Sequence, residues 1–167
     1  LRIPEVREAQ ARMARSAGLT GFCYWHYWFE EGKQLLEMPL NEVLSSGSPD
    51  FPFCLGWANE SWFQKTWVKD GKDKLLIEQK YGGVKDYTAH FNCVLKAFKD
   101  ERYIKVGGKP LFMVYRPLDS VEIPLFIQTW RKLAEENGLP GIHFVGHIMG
   151  RSDVDAVLGL GFDSVNT

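Results

Sequence analysis

Apolar and polar residues alternate in blocks along the chain, and these blocks predict helices and strands in regular alternation. Helical spacing of apolar residues predicts helices over 4–17, 39–46, 86–99, 124–137 and 154–160. Short runs of aromatic and β-branched residues predict strands over 21–28, 51–57, 109–115, 142–148 and 162–165. Because helices and strands alternate, the pattern favours an α/β protein with a parallel sheet.

Two helices and one turn are predicted in more detail. In the first helix, Val6, Ala9, Met13 and Ala17 share one face. In the 86–99 helix, the residues predicted to point inward are Tyr87, Phe91, Val94, Leu95 and Phe98. Gly107-Gly108 predicts a hairpin turn between extended segments at 103–106 and 109–115. By contrast, 61–73 is predicted to be a charged loop and 30–34 a turn, with a short extended segment at 75–78.

Polar or aromatic residues end most of the predicted strands, as they do at His26, Asn59, Glu60, Arg116, His147 and Asn166. In a (β/α)8 barrel the site lies at the carboxyl ends of the strands, which favours that fold. A doubly wound sheet also binds ligands there, but neither GxGxxG nor GxxxxGK[ST] occurs. Five strands are too few to close a barrel, so we expect 1–167 to be the central part of a single barrel domain.

Composition limits the classes of partner. The chain has 167 residues, 45% of them hydrophobic and 14% aromatic, with a net charge of −1. That charge gives no general attraction to nucleic acid, and no apolar run is long enough for a membrane span. The three cysteines are far apart and show no paired pattern, which favours a reducing compartment and a cytoplasmic location. The chain starts at Leu1 without a signal peptide, and both ends look cut from a longer protein.

Asn59-Glu60 carries the strongest chemical signal. It ends an apolar strand, where a carboxylate is costly to bury unless it has a partner or a function. Aromatic rings beside hydrogen-bonding groups suit sugars, and Trp57 and Trp62 flank the pair. We therefore predict Glu60 as a catalytic acid/base and Asn59 as a sugar ligand, the alternative being a structural Glu60 paired with Lys65 or an arginine.

Further candidates follow the other strand ends. Glu78 is the predicted second carboxylate, with a surface pair to Lys80 or Lys74 as its alternative. The predicted substrate-binding residues are His26, Tyr27, Trp57, Asn59, Trp62, Tyr115, Arg116 and His147. Each histidine has a structural alternative as a core residue, and each tryptophan could instead pack against helices. Arg116 could bind a phosphate or carboxylate, or hold Glu60 or Glu78 ionised.

No metal or cofactor is expected. Asp153-Val-Asp155 has the form of a metal-binding DxD motif, but it begins a predicted helix, where acidic residues favour the positive end of the dipole. The sequence contains no HExxH motif, Cys/His cluster or EF-hand loop.

Five blocks in order resemble the WbsX-type glycosyltransferase family, also described as glycoside hydrolase family 99-like. The blocks span 2–10, 21–29, 50–60, 76–81 and 108–117 and include Gly21-Phe-Cys-Tyr-Trp-His-Tyr-Trp-Phe29 and Gly56-Trp-Ala-Asn-Glu60. The resemblance implies a glycosidase-like TIM barrel whose first and last strands lie outside this chain. It also implies a bacterial protein of surface-polysaccharide (O-antigen) assembly.

The function predicted from these features is action on glycosidic bonds, most simply glycosyl transfer. Its partners would be an oligosaccharide or polysaccharide and, as a candidate, a nucleotide-sugar donor. One alternative is a hydrolase of endo-mannosidase-like type, and another is a barrel that binds carbohydrate without catalysis. A Rossmann-type nucleotide binder ranks last because its glycine-rich loop is missing.

Overall fold

The computed structural model describes residues 3–65 and 71–167 of the chain. In these ranges the α-helices are α1 Pro4–Ser16, α2 Met38–Ser46, α3 Gly83–Phe98, α4 Ile123–Glu136 and α5 Val154–Gly159. The strands are β1 Phe22–Phe29, β2 Lys33–Leu35, β3 Phe53–Trp57, β4 Trp62–Gln64, β5 Lys74–Ile77, β6 Lys105–Val106, β7 Lys109–Val114, β8 His143–His147 and β9 Ser164–Asn166. Short 3-10 turns lie at Glu30–Gly32 and Arg151–Asp153.

Five parallel strands form the centre of the fold. β1, β3, β7, β8 and β9 lie side by side in the order of the chain, and the α/β prediction with a parallel sheet is therefore confirmed. β2 folds back against the end of β1, and β6 pairs with β7 as the predicted hairpin. Gly107 and Gly108 form its turn with φ of +57° and +81°, a conformation that glycine adopts at little cost.

The helices lie on one face of this sheet. Side chains alternate along each strand, so that Tyr24, His26 and Trp28 point to the opposite side from Cys23, Trp25 and Tyr27. The first set lies on the helix side. The buried core on that side includes Trp57, Phe112 and Phe144 from the sheet and Phe91, Phe98, Phe126 and Trp130 from α3 and α4. We call the other side, which carries Trp25 and Tyr27, the open face.

The loop predicted at 61–73 is partly wrong. Trp62–Gln64 forms β4, which pairs antiparallel with β5, and residues 66–70 lie outside the described part of the chain. The predicted turn at 30–34 likewise runs into β2. In both cases a three-residue strand exists because a neighbouring strand supplies its hydrogen bonds, and so short a segment has no periodicity of its own.

The predicted apolar face of the first helix is also wrong. α1 buries Arg7, Ala11 and Ala14, whereas Met13 is 63% exposed. Small alanines let the helix approach the sheet closely. The prediction for α3 is confirmed in its main part, because Tyr87, Phe91, Val94 and Phe98 are buried. No helix in the described ranges is long and apolar enough to cross a membrane.

Candidate functional site

The carboxyl ends of the parallel strands bring a row of rings together on the open face. Trp25 meets Tyr115 edge-on at 5.2 Å between ring centroids, and Tyr115 stacks on His147 at 5.2 Å. Tyr27 meets Trp62 edge-on at 5.1 Å. Trp25 is 44% exposed, so part of its face is available to a ligand. Rings with free faces at a strand edge suit the C–H faces of sugars, and we call these five residues the aromatic row.

Glu60 lies between two cavities. The smaller cavity, of about 260 Å³, is lined by Trp25, Tyr27, Ala58, Glu60, Trp62 and Tyr115. The larger, of about 580 Å³, is lined by Glu60, Ser61, Trp62, Phe63, Lys65, Leu76, Arg116 and Asp119. One cavity is therefore mainly aromatic and the other mixes apolar and charged groups. The Glu60 carboxylate is accessible from both.

Asn59 joins the ends of β3 and β7. Its side-chain Oδ1 accepts a hydrogen bond from the Arg116 N–H at 2.8 Å, and its Nδ2 donates to the Arg116 carbonyl at 2.8 Å. Nδ2 also donates to the Tyr81 hydroxyl at 3.0 Å, which in turn donates to the Asn59 carbonyl at 3.2 Å. Burial raises the pKa of Tyr81 to about 12, with a further contribution from the charge of Asp119. The amide thus fixes the main chain beside Glu60 and at Arg116.

Arg116 forms an ion pair with Glu60. Its Nε lies 3.5 Å from Glu60 Oε2, and the guanidinium lies over the Tyr115 ring at 5.0 Å from the centroid. Glu60 also affects Tyr27. Burial raises the pKa of the Tyr27 hydroxyl, and the nearby Glu60 carboxylate raises it further. The predicted group Tyr27, Asn59, Glu60, Trp62, Tyr115 and Arg116 is therefore assembled at one edge, with His147 behind Tyr115.

The structure does not bring His26 and Trp57 to these cavities. Both point to the helix side and are buried, and Trp57 Nε1 donates to the Trp28 carbonyl at 3.0 Å. His26 stacks on His90 of α3 at 4.9 Å. Burial lowers the pKa of His26 to about 4. His26 and Trp57 therefore occupy strand positions whose side chains point into the core and not toward the open face.

Glu78 also lies apart from both cavities. Its carboxylate is 58% exposed and lies 3.7 Å from Lys80 Nζ, the surface pair expected as the alternative. The hairpin that carries it is tied to the site through Ser61 Oγ, which accepts a hydrogen bond from the Gln79 N–H at 2.9 Å. Glu78 therefore follows the site in sequence without lining it.

Asp119 is the carboxylate that sequence reasoning missed. It lines the larger cavity together with Glu60 and Arg116, and it lies in the turn after β7. The turn is closed by a hydrogen bond from the Asp119 N–H to the Arg116 carbonyl at 3.4 Å. The available signal was an acid three residues after a strand-end arginine, with Pro117 between them to start the turn. In the described residues no group of three or more metal-binding side chains is placed to hold an ion.

A parallel sheet thus carries a carboxylate, an arginine and a row of rings at its carboxyl edge, where α/β proteins place their sites. The chain belongs to the family described as Glycosyltransferase WbsX, which matches residues 1–167. The resemblance noted in the sequence is thereby confirmed.

Among curated proteins, the chain is 38% identical over 166 residues to the uncharacterized protein WxcX of Xanthomonas campestris pv. campestris, in strains B100 and ATCC 33913. The match covers 98% of this chain and 23% of that protein. The chain therefore spans about a quarter of the length of the curated relatives it matches.

Two solved structures share the fold. A glycoside hydrolase-like protein superimposes with a TM-score of 0.59 at 12% identity, over 87% of this chain and 44% of that one. The GH99 endo-alpha-mannosidase from Bacteriodes thetaiotaomicron superimposes with a TM-score of 0.55 at 17% identity, over 98% and 46%. At such identities the likeness concerns the fold.

Proposed function

We propose that this chain is part of a glycosyltransferase that builds a bacterial surface polysaccharide such as O-antigen, with Glu60 as the catalytic acid/base. Membership of the WbsX family supports the class of reaction. The observation that carries the proposal is the position of Glu60, whose carboxylate borders both the aromatic and the polar cavity. A saccharide with one ring in each cavity would place the bond between the rings at this carboxylate.

The geometry supports distinct roles for the two cavities. Trp25, Tyr27 and Trp62 offer ring faces and edges to one sugar, while Tyr115 completes that wall. Across Glu60, Arg116 offers a cation to a phosphate or carboxylate, as a nucleotide-sugar donor or an acidic sugar requires. Glu60 would then give a proton to the departing oxygen or take one from the attacking hydroxyl.

We infer that residues 1–167 form the central part of a single (β/α)8 barrel. Three observations support this: the parallel strands follow one another in chain order, the helices lie on one face, and the fold resembles GH99 proteins. A doubly wound sheet would reverse its strand order and place helices on both faces. In a barrel, the open face would become the interior and the aromatic row would lie at the mouth.

Hydrolysis is the second candidate, favoured by the fold likeness to a GH99 endo-alpha-mannosidase. The two reactions differ in what accepts the sugar, water or another saccharide. Release of free sugar from an oligosaccharide would indicate a hydrolase, whereas transfer from a nucleotide-sugar to an acceptor would indicate the transferase.

The test is the variant Glu60→Gln, which keeps the size of the side chain and removes its acid/base chemistry. We expect turnover to fall by about 10²–10⁴-fold, with saccharide binding by calorimetry retained. The matched control is Glu136→Gln on α4, whose exposed carboxylate pairs with Lys132 and should leave turnover unchanged. Full activity in Glu60→Gln would refute the assignment. Binding without turnover in the unmodified protein would instead indicate the non-catalytic barrel.

A further inference from the structure

One side of the β4–β5 hairpin is anchored to the sheet. Trp62 of β4 meets Tyr27 edge-on at 5.1 Å and Phe29 edge-on at 5.8 Å between ring centroids. The Ser61 hydroxyl accepts a hydrogen bond from the Gln79 N–H at 2.9 Å. These contacts hold the hairpin beside the aromatic row. Because the hairpin follows the carboxyl end of β3, it lies at the rim of the proposed barrel and not in its interior.

The other side of the hairpin exposes apolar side chains to solvent. Phe63 and its register partner Leu75 are 45% and 47% exposed, and Leu76 is 54% exposed. The register shifts next to Phe63, which leaves Leu76 without a register partner in β4. A bulge of this kind changes the direction of a side chain, and Leu76 lines the larger cavity together with Phe63. An exposed apolar wall beside a candidate site indicates a ligand-binding surface.

The charge on this wall is balanced. Lys65, which also lines the larger cavity, has its Nζ 5.7 Å from the centroid of the Phe63 ring and 2.7 Å from Asp73 Oδ2. The carboxylate neutralises the ammonium group, so the pair gives little net attraction to an anion. It still offers hydrogen-bond donors and acceptors to hydroxyl groups. An aromatic ring beside such a pair suits a neutral sugar, which has an apolar C–H face and a rim of hydroxyls.

The larger cavity has room for more than one sugar ring. Its volume of about 580 Å³ is more than twice the volume of the smaller cavity, which is about 260 Å³. If one ring fills the smaller cavity, the larger cavity holds two rings of the same size. Arg116 and Asp119 line it from the end of β7, whereas Phe63 and Leu76 line it from the hairpin. The hairpin wall is therefore available to a further ring.

We propose that the β4–β5 hairpin is a distal saccharide-binding arm, on which Phe63 and Leu76 hold a neutral sugar ring one unit beyond the two rings that flank Glu60. The inference rests on the proposed function and deepens it, because the rings are counted from the bond at Glu60. The Phe63 ring stacks on the C–H face of the distal sugar, and Lys65 and Asp73 hydrogen-bond its hydroxyls. The substrate is therefore an oligosaccharide of at least three units, and a disaccharide leaves the arm empty.

The experiment measures affinity against the length of the saccharide. The full-length protein carrying Glu60→Gln, which prevents turnover, is screened on an array of neutral oligosaccharides in ladders of increasing length. The ladder that binds best is then measured by calorimetry. We expect the third unit to raise the affinity by about threefold to tenfold. Phe63→Ala should abolish this gain and leave the affinity for the disaccharide unchanged, whereas Phe63→Trp should keep the gain.

Two further variants separate binding from folding. Leu76→Asn changes a residue without a register partner, so it should reduce the gain while the hairpin stays paired. Leu158→Ala on α5, at an apolar residue that is 41% exposed and lines neither cavity, should keep the gain. An array on which no saccharide binds would overturn the proposed function and this inference with it. Equal affinities for two and three units, or a gain that survives both Phe63→Ala and Leu76→Asn, would overturn the arm alone and leave the proposed function intact.

Discussion

Asn59 shows how one residue can set the spacing of a site. Its amide pairs with both the N–H and the carbonyl of Arg116, so it acts as one more strand-to-strand link at the point where β3 and β7 have ended. Glu60 and Arg116 therefore keep their separation without depending on each other. The side chain is 1% exposed, so these bonds have no competition from water.

Asn59→Asp should destabilise the protein. The variant keeps the acceptor oxygen but loses both hydrogen bonds donated by Nδ2, and it places a charge against the Arg116 carbonyl. We expect the free energy of unfolding to fall by about 2–4 kcal/mol, measured by urea denaturation. Asn92→Asp, an exposed asparagine on α3, should change it by less than about 0.5 kcal/mol. Equal effects of the two variants would contradict a structural role for Asn59.

Asp119 and Glu78, the two candidates for a second carboxylate beside Glu60, lie in different places. Asp119 lines the cavity beside Glu60, whereas Glu78 is exposed and pairs with Lys80. We therefore expect Asp119→Asn to lower kcat/KM by about tenfold or more and Glu78→Gln to leave it nearly unchanged. Steady-state kinetics of both variants test this. The reverse order would favour the original prediction that Glu78 is the second carboxylate.

Position along the chain was enough to predict which residues gather at the carboxyl edge of the sheet, but it did not predict their orientation. Glu60, Tyr115 and Arg116 lie at this edge because they follow the ends of β3 and β7. His26 and Tyr27 are adjacent residues of β1, yet only Tyr27 lines the smaller cavity. Adjacent residues of a strand point to opposite faces of the sheet. Both faces of β1 carry aromatic residues, so the sequence does not reveal which face packs against the helices.

At the scale of elements, long periodic segments were predictable and short paired ones were not. α3 and α4 were found within three residues of their ends, because their apolar residues repeat at helical spacing. β2 and β4 were missed because each depends on a partner strand rather than on its own composition. The buried face of α1 was misassigned because alanine gives a weak signal beside Val6 and Met13.

β8 and α5 pack closely because residue 146 is a glycine, which has no side chain. A Cβ at Gly146 would lie 2.4 Å from Val157 Cγ1 and 3.3 Å from a Phe162 ring carbon. Gly146→Ala should force the helix away and lower the free energy of unfolding by about 1–3 kcal/mol. Gly159→Ala is the control, because a Cβ there meets no atom within 4 Å. Thermal melts of both variants would decide, and an unchanged melting temperature for Gly146→Ala would contradict this packing.

At the scale of the whole molecule, the core contains two buried imidazoles. His90 of α3 is surrounded by rings, stacking on Trp28 at 4.7 Å and on His26 at 4.9 Å. Within the described residues, neither ring nitrogen of His90 nor Nε2 of His26 has a hydrogen-bond partner. Burial lowers the pKa of His90 well below its ordinary value, and the neighbouring His26 lowers it further. Both histidines are therefore neutral in the folded protein at neutral pH.

The protein should lose stability in mild acid for this reason. Below pH of about 6.5 the unfolded chain protonates both histidines, whereas folded His26 resists until its pKa of about 4. The free energy of unfolding should therefore fall as the pH is lowered across this interval, by up to about 1.4 kcal/mol per pH unit for each histidine. Urea denaturation at several pH values measures the slope. His90→Leu should flatten it, and an unchanged slope would contradict the argument.

The link made by Asn59 has a consequence for how this site can diversify. Because its hydrogen bonds hold main-chain atoms of Arg116, they do not depend on the side chains at positions 60 and 116. A substitution at position 116 can therefore alter which group faces a saccharide beside Glu60 while the separation of the two strand ends is preserved. The main chain at this edge of the sheet stays fixed while a side chain is exchanged, so new specificities can be selected without a change of fold.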